Sequence, residues 1–398
     1  NIVNIVLIFC VRNFMKLFKS LLVAPATLGL LAPMSATANE ITINDFNPVV
    51  EETLLAGGEG LVDDHSHDGS FSETTSASFS ADMAIGAVDG GTSTADDAVT
   101  AVYGFQIDLT TSFTGEDSLD ISIDAGNAGS GTLTELDLND GGTDDALYVD
   151  GVSYTFPLGD KITAFVGDNT DGSLLFSTAC VYGGPSNTLD DCGNASSAIA
   201  GGEGTAAGAS FDIGSGFTGA VGYTGAGSST KGLLTEEGLD SFAGQLSYAA
   251  DSYGVSVTYA TVESLSVADS PALYQTETSY WGFNGYWTPS ESGSMPSISV
   301  GYEFGDPSPA AKSTTVDKDT THYFVGLQWD EIGPGTFGAA IGTKTPTVDG
   351  QTELMMYEAF YSYPVNDGMT VTPLIYVKEN SGTTDDETGV MVKTSFSF

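Results

Sequence analysis

Three stretches of this chain carry residue types at spacings that could do chemistry. Gly214-Ser-Gly216-Phe-Thr-Gly219 has the spacing with which backbone amides close on a pyrophosphate, but that use needs a helix N-terminus to receive the phosphate. Here the glycines join two alternating segments as a tight turn, so no nucleotide site is expected. Asp168-Asn-Thr-Asp171-Gly172 is similar to the start of a calcium loop. With Asn169, Asp171 and Gly172 at the third, fifth and sixth loop positions, Gly167 and Thr178 fall where the first and last carboxylates are required, so the match fails. His65-Ser-His67 could set two imidazoles on one side of a strand, which falls short of a metal site. His322 is the remaining histidine, which gives a Ser-His-Asp triad little to draw on. No enzyme activity, metal or cofactor is expected.

What remains is a surplus of carboxylates. The chain has 53 Asp and Glu against 10 Lys and Arg. Arg12, Lys16 and Lys19 precede the acidic part, which holds only Lys161, Lys231, Lys312, Lys318, Lys344, Lys378 and Lys393. That balance opposes nucleic-acid binding, which needs basic side chains to neutralise phosphate, and it favours small cations. Asp82, Asp108, Asp120, Asp124, Glu303 and Glu358 fall on the polar faces of alternating segments, with Lys378 and Lys393 opposing them. On a wet wall such acids either keep the surface hydrated or form a field that selects cations. Cys180 and Cys192, in a Gly/Asn/Asp-rich stretch, read as a disulfide, worth about 3 kcal/mol by chain entropy.

The elements that must position these residues are strands. Ala77, Phe79, Ala81, Met83 and Ile85 alternate with Ser78, Ser80, Asp82 and Ala84, a period of two that a helix would scatter around its circumference. Tyr103, Phe105, Ile107 and Leu109, then Leu119, Ile121 and Ile123, repeat the pattern. Thirteen further segments follow, near 147–156, 161–167, 207–213, 216–224, 241–250, 254–262, 279–288, 296–304, 320–330, 336–343, 352–363, 369–378 and 389–398. Sixteen strands joined alternately by short turns and long loops (87–99, 126–146, 168–206, 225–240, 263–278, 305–319, 344–351, 379–388) predict an all-β, antiparallel transmembrane barrel. One face is apolar and aromatic, as in Ile298, Val300, Tyr302 and Phe304; the other is small and polar, as in Ser297, Ser299, Gly301 and Glu303. The apolar face is read as lipid-facing, with Trp287, Trp329, Tyr361 and Tyr363 in an interfacial girdle. The third long loop, 168–206, with Asp168, Asp171, Asp190 and Asp191, is expected to fold into the lumen as a constriction.

Met15-Lys-Leu-Phe-Lys, the apolar run from Leu21 to Ala32 and Ala36-Thr-Ala38 form a secretory signal. The chain therefore divides into an over-extended gene start (1–14), a signal peptide (15–38), a polar segment (39–75) and the barrel (76–398). The last strand alternates Val390, Val392, Thr394, Phe396 and Phe398 with polar residues, and the terminal aromatics Phe396 and Phe398 read as the signal used by the barrel assembly machinery.

Several segments resemble porins of marine picocyanobacteria: Met15-Lys-Leu-Phe with Leu22-Val-Ala-Pro and Gly29-Leu-Leu-Ala-Pro, Thr114-Gly-Glu-Asp after Leu109-Thr-Thr-Ser-Phe, Tyr154-Thr-Phe-Pro-Leu-Gly, Tyr286-Trp-Thr-Pro-Ser with Pro296-Ser-Ile-Ser, Val325-Gly-Leu-Gln-Trp and Val392-Lys-Thr-Ser-Phe-Ser-Phe. They look like the carbohydrate-selective porin family in its cyanobacterial S-layer-homology branch. That resemblance implies a sixteen-stranded outer-membrane barrel, a homotrimer in contact with lipid, passing ions and small solutes including sugars. The polar segment 39–75 is too short for the S-layer-homology domain and coiled-coil linker of that branch, which puts cell-wall anchoring in doubt. The resulting expectation is a cation-preferring diffusion pore of the outer membrane; the alternative is a plugged structural barrel whose acidic loops bind cations.

Overall fold

The computed structural model describes residues 74–90, 98–128, 133–138, 145–198, 202–226, 232–235, 238–267, 273–290, 295–308, 318–382 and 384–398. The expected gene start, signal peptide and nearly all of the polar N-terminal segment, with His65 and His67, lie outside these residues.

The strands are β1 (Thr75–Asp89), β2 (Thr100–Thr111), β3 (Ser118–Gly126), β4 (Tyr148–Pro157), β5 (Ile162–Asp171), β6 (Glu203–Gly214), β7 (Phe217–Gly225), β8 (Asp240–Ala249), β9 (Tyr253–Val267), β10 (Leu273–Trp287), β11 (Ser297–Pro307), β12 (Thr320–Ile332), β13 (Gly335–Thr343), β14 (Thr347–Val348), β15 (Met355–Asn366), β16 (Met369–Lys378) and β17 (Glu387–Ser397). The two-residue β14 lies against β12 within the β13–β15 connection. The other sixteen form the wall, each antiparallel to its neighbours, and β1 pairs with both β2 and β17, so the sheet closes without a free edge.

Alternation decides which face points where. On β11, Val300 is 45 % exposed while its neighbour Ser299 is 1 % exposed. The ladder carries this sidedness across strands: Val300 pairs with Val325 and Tyr302 with Tyr323, whereas Ser299 pairs with Gly326 and Glu303 with His322. Exposed apolar side chains such as Val221, Leu246, Val257 and Phe283 continue the outer belt. Aromatic pairs gather at the short-turn rim: Trp329 with Phe337 (5.6 Å), Phe217 with Tyr248 (4.7 Å) and Tyr361 with Tyr363 (6.5 Å). Such amphipathic rings suit a membrane interface.

Short turns are locally specified. Gly214, Ser215 and Gly216, at φ of 92°, 56° and 86°, form the β6–β7 turn, so the glycine fingerprint there serves chain reversal. In the β2–β3 turn, Asp117 accepts from the backbone N–H of Phe113 (3.0 Å) and Thr114 (2.7 Å) and from the Tyr154 hydroxyl (2.7 Å). The Tyr154 hydrogen bond, joined by those from Thr114 and Ser112 against the opposing effect of burial, holds the carboxyl well below the usual carboxylate range. One expected loop is corrected. β9 and β10 run on to Val267 and from Leu273, shrinking the connection read as 263–278 to 268–272, because the polar residues there continue an alternating ladder.

Candidate functional site: a lumen narrowed by two inward loops

In the β5–β6 connection, residues 172–198 enter the barrel and follow its inner wall. An irregular segment leaves backbone N–H groups without partners, and here polar side chains of successive strands accept them. Gly172 N–H donates to Thr224 Oγ1 on β7 (2.8 Å), Ser177 to Gln245 Oε1 on β8 (2.6 Å), Ala179 to Ser256 Oγ on β9 (2.9 Å), Val181 to Ser299 Oγ on β11 (3.0 Å) and Gly183 to Gln328 Oε1 on β12 (3.1 Å). At the far end the Tyr182 hydroxyl donates to Glu358 Oε1 on β15 (2.7 Å). The returning limb is tied to β10 and β11 through Asn284 and Glu303. Cys180 and Cys192 are disulfide-bonded, closing the turn between the two limbs. The backbone packs tightly on the wall at Gly301, where a Cβ would meet the Cys192 carbonyl at 1.7 Å.

In a second loop, between β3 and β4, residues 133–138 also lie inward. Leu133, Leu136 and Leu138 are buried in one cluster with Leu189 and Tyr182 of the first loop and with Phe324, Met356, Phe360, Leu374, Tyr376 and Met391 of the wall. The two loops pair directly: Asn187 N–H donates to Glu135 O (3.0 Å) and Asp137 N–H to Pro185 O (3.0 Å). Lys378 forms an ion pair with Glu135. Lys393 pairs with Asp82 (3.3 Å) and donates to the Asp137 carbonyl (2.5 Å). In the sequence, 126–146 reads as one of the long external loops. The signal was three leucines in a Gly/Asp-rich stretch, with Phe324 facing them from a polar strand face.

Among the described residues, the two loops lie against β7–β13 and β15–β17, and open space is left on the β2–β6 side. There a cavity of about 420 Å3 is lined by Asp120, Ser122, Asp150, Asn169, Asp171 and Glu203. Asp150 reaches it through a bulge: Ser122 pairs with Gly151 and Ile123 with Val149, leaving Asp150 as the extra residue. Asp108 accepts from Ser122 Oγ (2.7 Å) and Asp120 from Thr110 Oγ1 (2.8 Å), so hydroxyls hold both carboxylates on the wall.

Of the acids expected to line the lumen, Asp108 and Asp120 keep partial access, while Asp82, Asp124, Glu303 and Glu358 are buried. Loop backbone covers Glu303 and Tyr182 covers Glu358, while Asp82 is paired with Lys393. Lys378 and Lys393 hold a loop instead of standing free in the lumen. Asp168 and Asp171, assigned to the constriction loop, belong to β5. Asp168 shares the outer face with Val166 and accepts from Thr205 Oγ1 (2.8 Å), and the register shift between Gly167 and Thr170 then turns Asp171 toward the cavity. Asp190 and Asp191 are on the inward loop, open to lumen water yet ringed by protein. That enclosure, with the charges of Asp191 and Asp137 second, pushes Asp190 up to about 7, and enclosure also raises Asp191. Asp150 and Glu203 were not singled out from sequence: the bulge and the low-contrast Gly/Ala run of β6 hid their facing. Among the described residues, no group of three or more His, Cys, Asp or Glu converges as a metal site.

No family model matches this chain, and no curated protein matches it. Among solved structures it is similar to OprB of Pseudomonas putida at high pH, with TM-score 0.59 and 12 % identity, covering 82 % of this chain and 94 % of that one. It is similar to an anion-selective porin from Comamonas acidovorans, with TM-score 0.56 and 11 % identity, covering 82 % and 99 %. A mutant of the Rh. blastica porin gives TM-score 0.51 and 12 % identity, covering 81 % and 100 %. At these identities the likeness is one of fold: this chain has the closed antiparallel barrel of outer-membrane porins.

Proposed function

We propose that this chain is a diffusion porin of a Gram-negative-type outer membrane, passing small cations and small hydrophilic solutes, sugars among them. It works as a homotrimer inserted by the barrel assembly machinery, and it belongs with the cyanobacterial porins whose sequence segments it resembles. The observation that carries the reading is the charge asymmetry of the narrowed lumen. Acids on the β2–β6 side face the cavity, while both lysines of the inner wall are engaged by a loop. Within low-dielectric walls such a field concentrates cations, and salt screens it over about 8–10 Å at physiological strength. The Comamonas porin shares the fold and is anion-selective, so the barrel does not set the sign of the ion; wall residues do.

The test is the reversal potential of the purified protein in a planar bilayer under a KCl gradient. K⁺ preference is expected, and D120N with D150N should reduce it, more so in dilute salt. An anion-selective channel would refute the assignment. A second reading, a plugged structural barrel, is favoured by the apolar cluster that the two loops build inside the lumen. Absence of conductance in well-folded protein would select it.

A further inference from the structure

The returning limb of the 172–198 loop meets β10 and β11 in a pocket whose chemistry the pore reading does not use. Asn284 Nδ2 donates to the Cys192 carbonyl (2.9 Å), an atom that can only accept. Asn284 Oδ1 is thereby left to accept from Asn194 Nδ2, and this fixes the Asn194 amide with its own Oδ1 turned away from Asn284. Glu303 uses Oε2 to accept the backbone N–H groups of Ser196 (2.8 Å) and Ser197 (2.7 Å). Three oxygens meet no partner in good hydrogen-bonding geometry, Glu303 Oε1, Asn194 Oδ1 and Ser197 Oγ, although the Ser197 hydroxyl lies close enough to the Glu303 carboxylate to interact with it. Their residues are 1 %, 0 % and 0 % exposed.

The three gather at one place. Glu303 pairs across the ladder with Gly282, and a Cβ at Gly282 would stand 2.2 Å from Ser197 Oγ and 2.7 Å from Asn194 Oδ1. Glycine at 282 is what lets these oxygens settle over the wall beside the carboxylate. Among the described residues, no basic side chain answers the charge. The ion pairs formed among the described residues are Lys378–Glu135 and Lys393–Asp82, and His322, across the ladder from Glu303, has its Nδ1 engaged with Thr343 Oγ1 (2.9 Å). A buried carboxylate whose charge is unanswered is strongly unfavourable, and a hard cation takes oxygen ligands of this kind. One carboxylate with neutral amide and hydroxyl oxygens balances a single positive charge. Calcium would leave an excess charge and seeks six to eight oxygens.

We propose that Glu303, Asn194 and Ser197 hold a monovalent hard cation of the sodium class, which pins the returning limb of the loop to β10 and β11. The site stands independently of the pore reading, and its test reads stability, not current. The full chain, purified in detergent, is heated in NaCl or in the same concentration of N-methyl-D-glucamine chloride, whose cation is too large for the pocket. Unfolding is followed by tryptophan fluorescence and by the shift of the folded band on gels. The midpoint should rise with the logarithm of sodium concentration beyond the organic salt. S197A should weaken that dependence, E303Q should abolish it, and N194D, with a second carboxylate, should transfer it to CaCl2. If E303Q does not assemble, S197A and N194D keep the Glu303 carboxylate and its backbone donors and carry the test. Equal midpoints in the two salts, with a carboxylic-acid carbonyl band in the infrared that E303Q removes, would assign a proton to Glu303 and overturn the proposal. Sodium stabilisation unchanged in every variant would overturn it too.

Discussion

Phe398 exchanges a pair of backbone hydrogen bonds with Phe79, each 3.0 Å, and the two rings stack at 5.8 Å. Phe398 thus closes the seam at the short-turn rim, where β17 meets β1. Phe79 also stacks on Phe105 of β2 at 6.5 Å, so the contact joins three strands on the outer face. Deleting Phe398 removes two ladder bonds and one lipid-facing ring, while F396S with F398S keeps the ladder and removes both rings. Both variants should be exported and poorly inserted, as read by outer-membrane yield. Normal yield of the double variant would count against an assembly role for the terminal aromatics.

The Tyr182–Glu358 contact fastens the constriction loop to the β15 wall. Glu358 is 4 % exposed, its Oε1 accepts from the Tyr182 hydroxyl (2.7 Å), and the Ser186 side chain lies beside the same carboxylate. Y182F should cost about 1–3 kcal/mol, the penalty for an unsatisfied buried acceptor. The released loop should give a noisier open-channel current. Adding E358Q should change little further, because the pair acts as one unit. Additive effects would separate the two residues.

Lys378 is tested in the same way through the other loop. K378M leaves Glu135 buried without its counter-charge, which should undock 133–138 at a cost of roughly 3 kcal/mol, and E135Q in the same chain should restore most of it. Protease cleavage within the loop and a larger conductance are the readouts. Unchanged cleavage and current in K378M would place the loop's hold elsewhere, in the leucine cluster.

The wall was legible in the sequence because each strand repeats one rule. Ile298, Val300 and Tyr302 against Ser297, Ser299 and Glu303 give the two faces of β11 from residue type alone. Alternation tells which side a residue faces and says nothing of what lies over that side. Glu303 and Glu358 therefore read as lumen acids although loop backbone and Tyr182 cover them. Asp150 was missed and Asp171 misplaced for a second reason: one bulged residue reverses the facing of the residues beyond it, and no local composition marks the bulge at Asp150 or the one between Gly167 and Thr170. The constriction loop itself was foreseeable from its length and cysteines, but its partner loop was recognisable only by apolar side chains with no strand to place them.

On the proposed pore reading, Asp190 predicts a pH response of definite sign. Enclosure by the barrel, with the Asp191 and Asp137 charges beside it, pushes its carboxyl up to about 7. Above that value it is ionised and adds negative charge at the constriction; acidification through it adds a proton and removes that charge. Cation preference should therefore fall as pH is lowered from about 8 to about 5, a range in which ordinary carboxylates stay ionised. The stability contribution runs the other way. A carboxyl whose folded value is raised binds its proton more tightly in the folded state, so in the window between about 4 and about 7 acidification stabilises the loop, and raising the pH withdraws that contribution. Reversal potentials in a KCl gradient at stepped pH should show the change centred near neutrality, and D190N should flatten it while lowering the preference at alkaline pH. A D190N channel that titrates like the parent would show that the response belongs to another group.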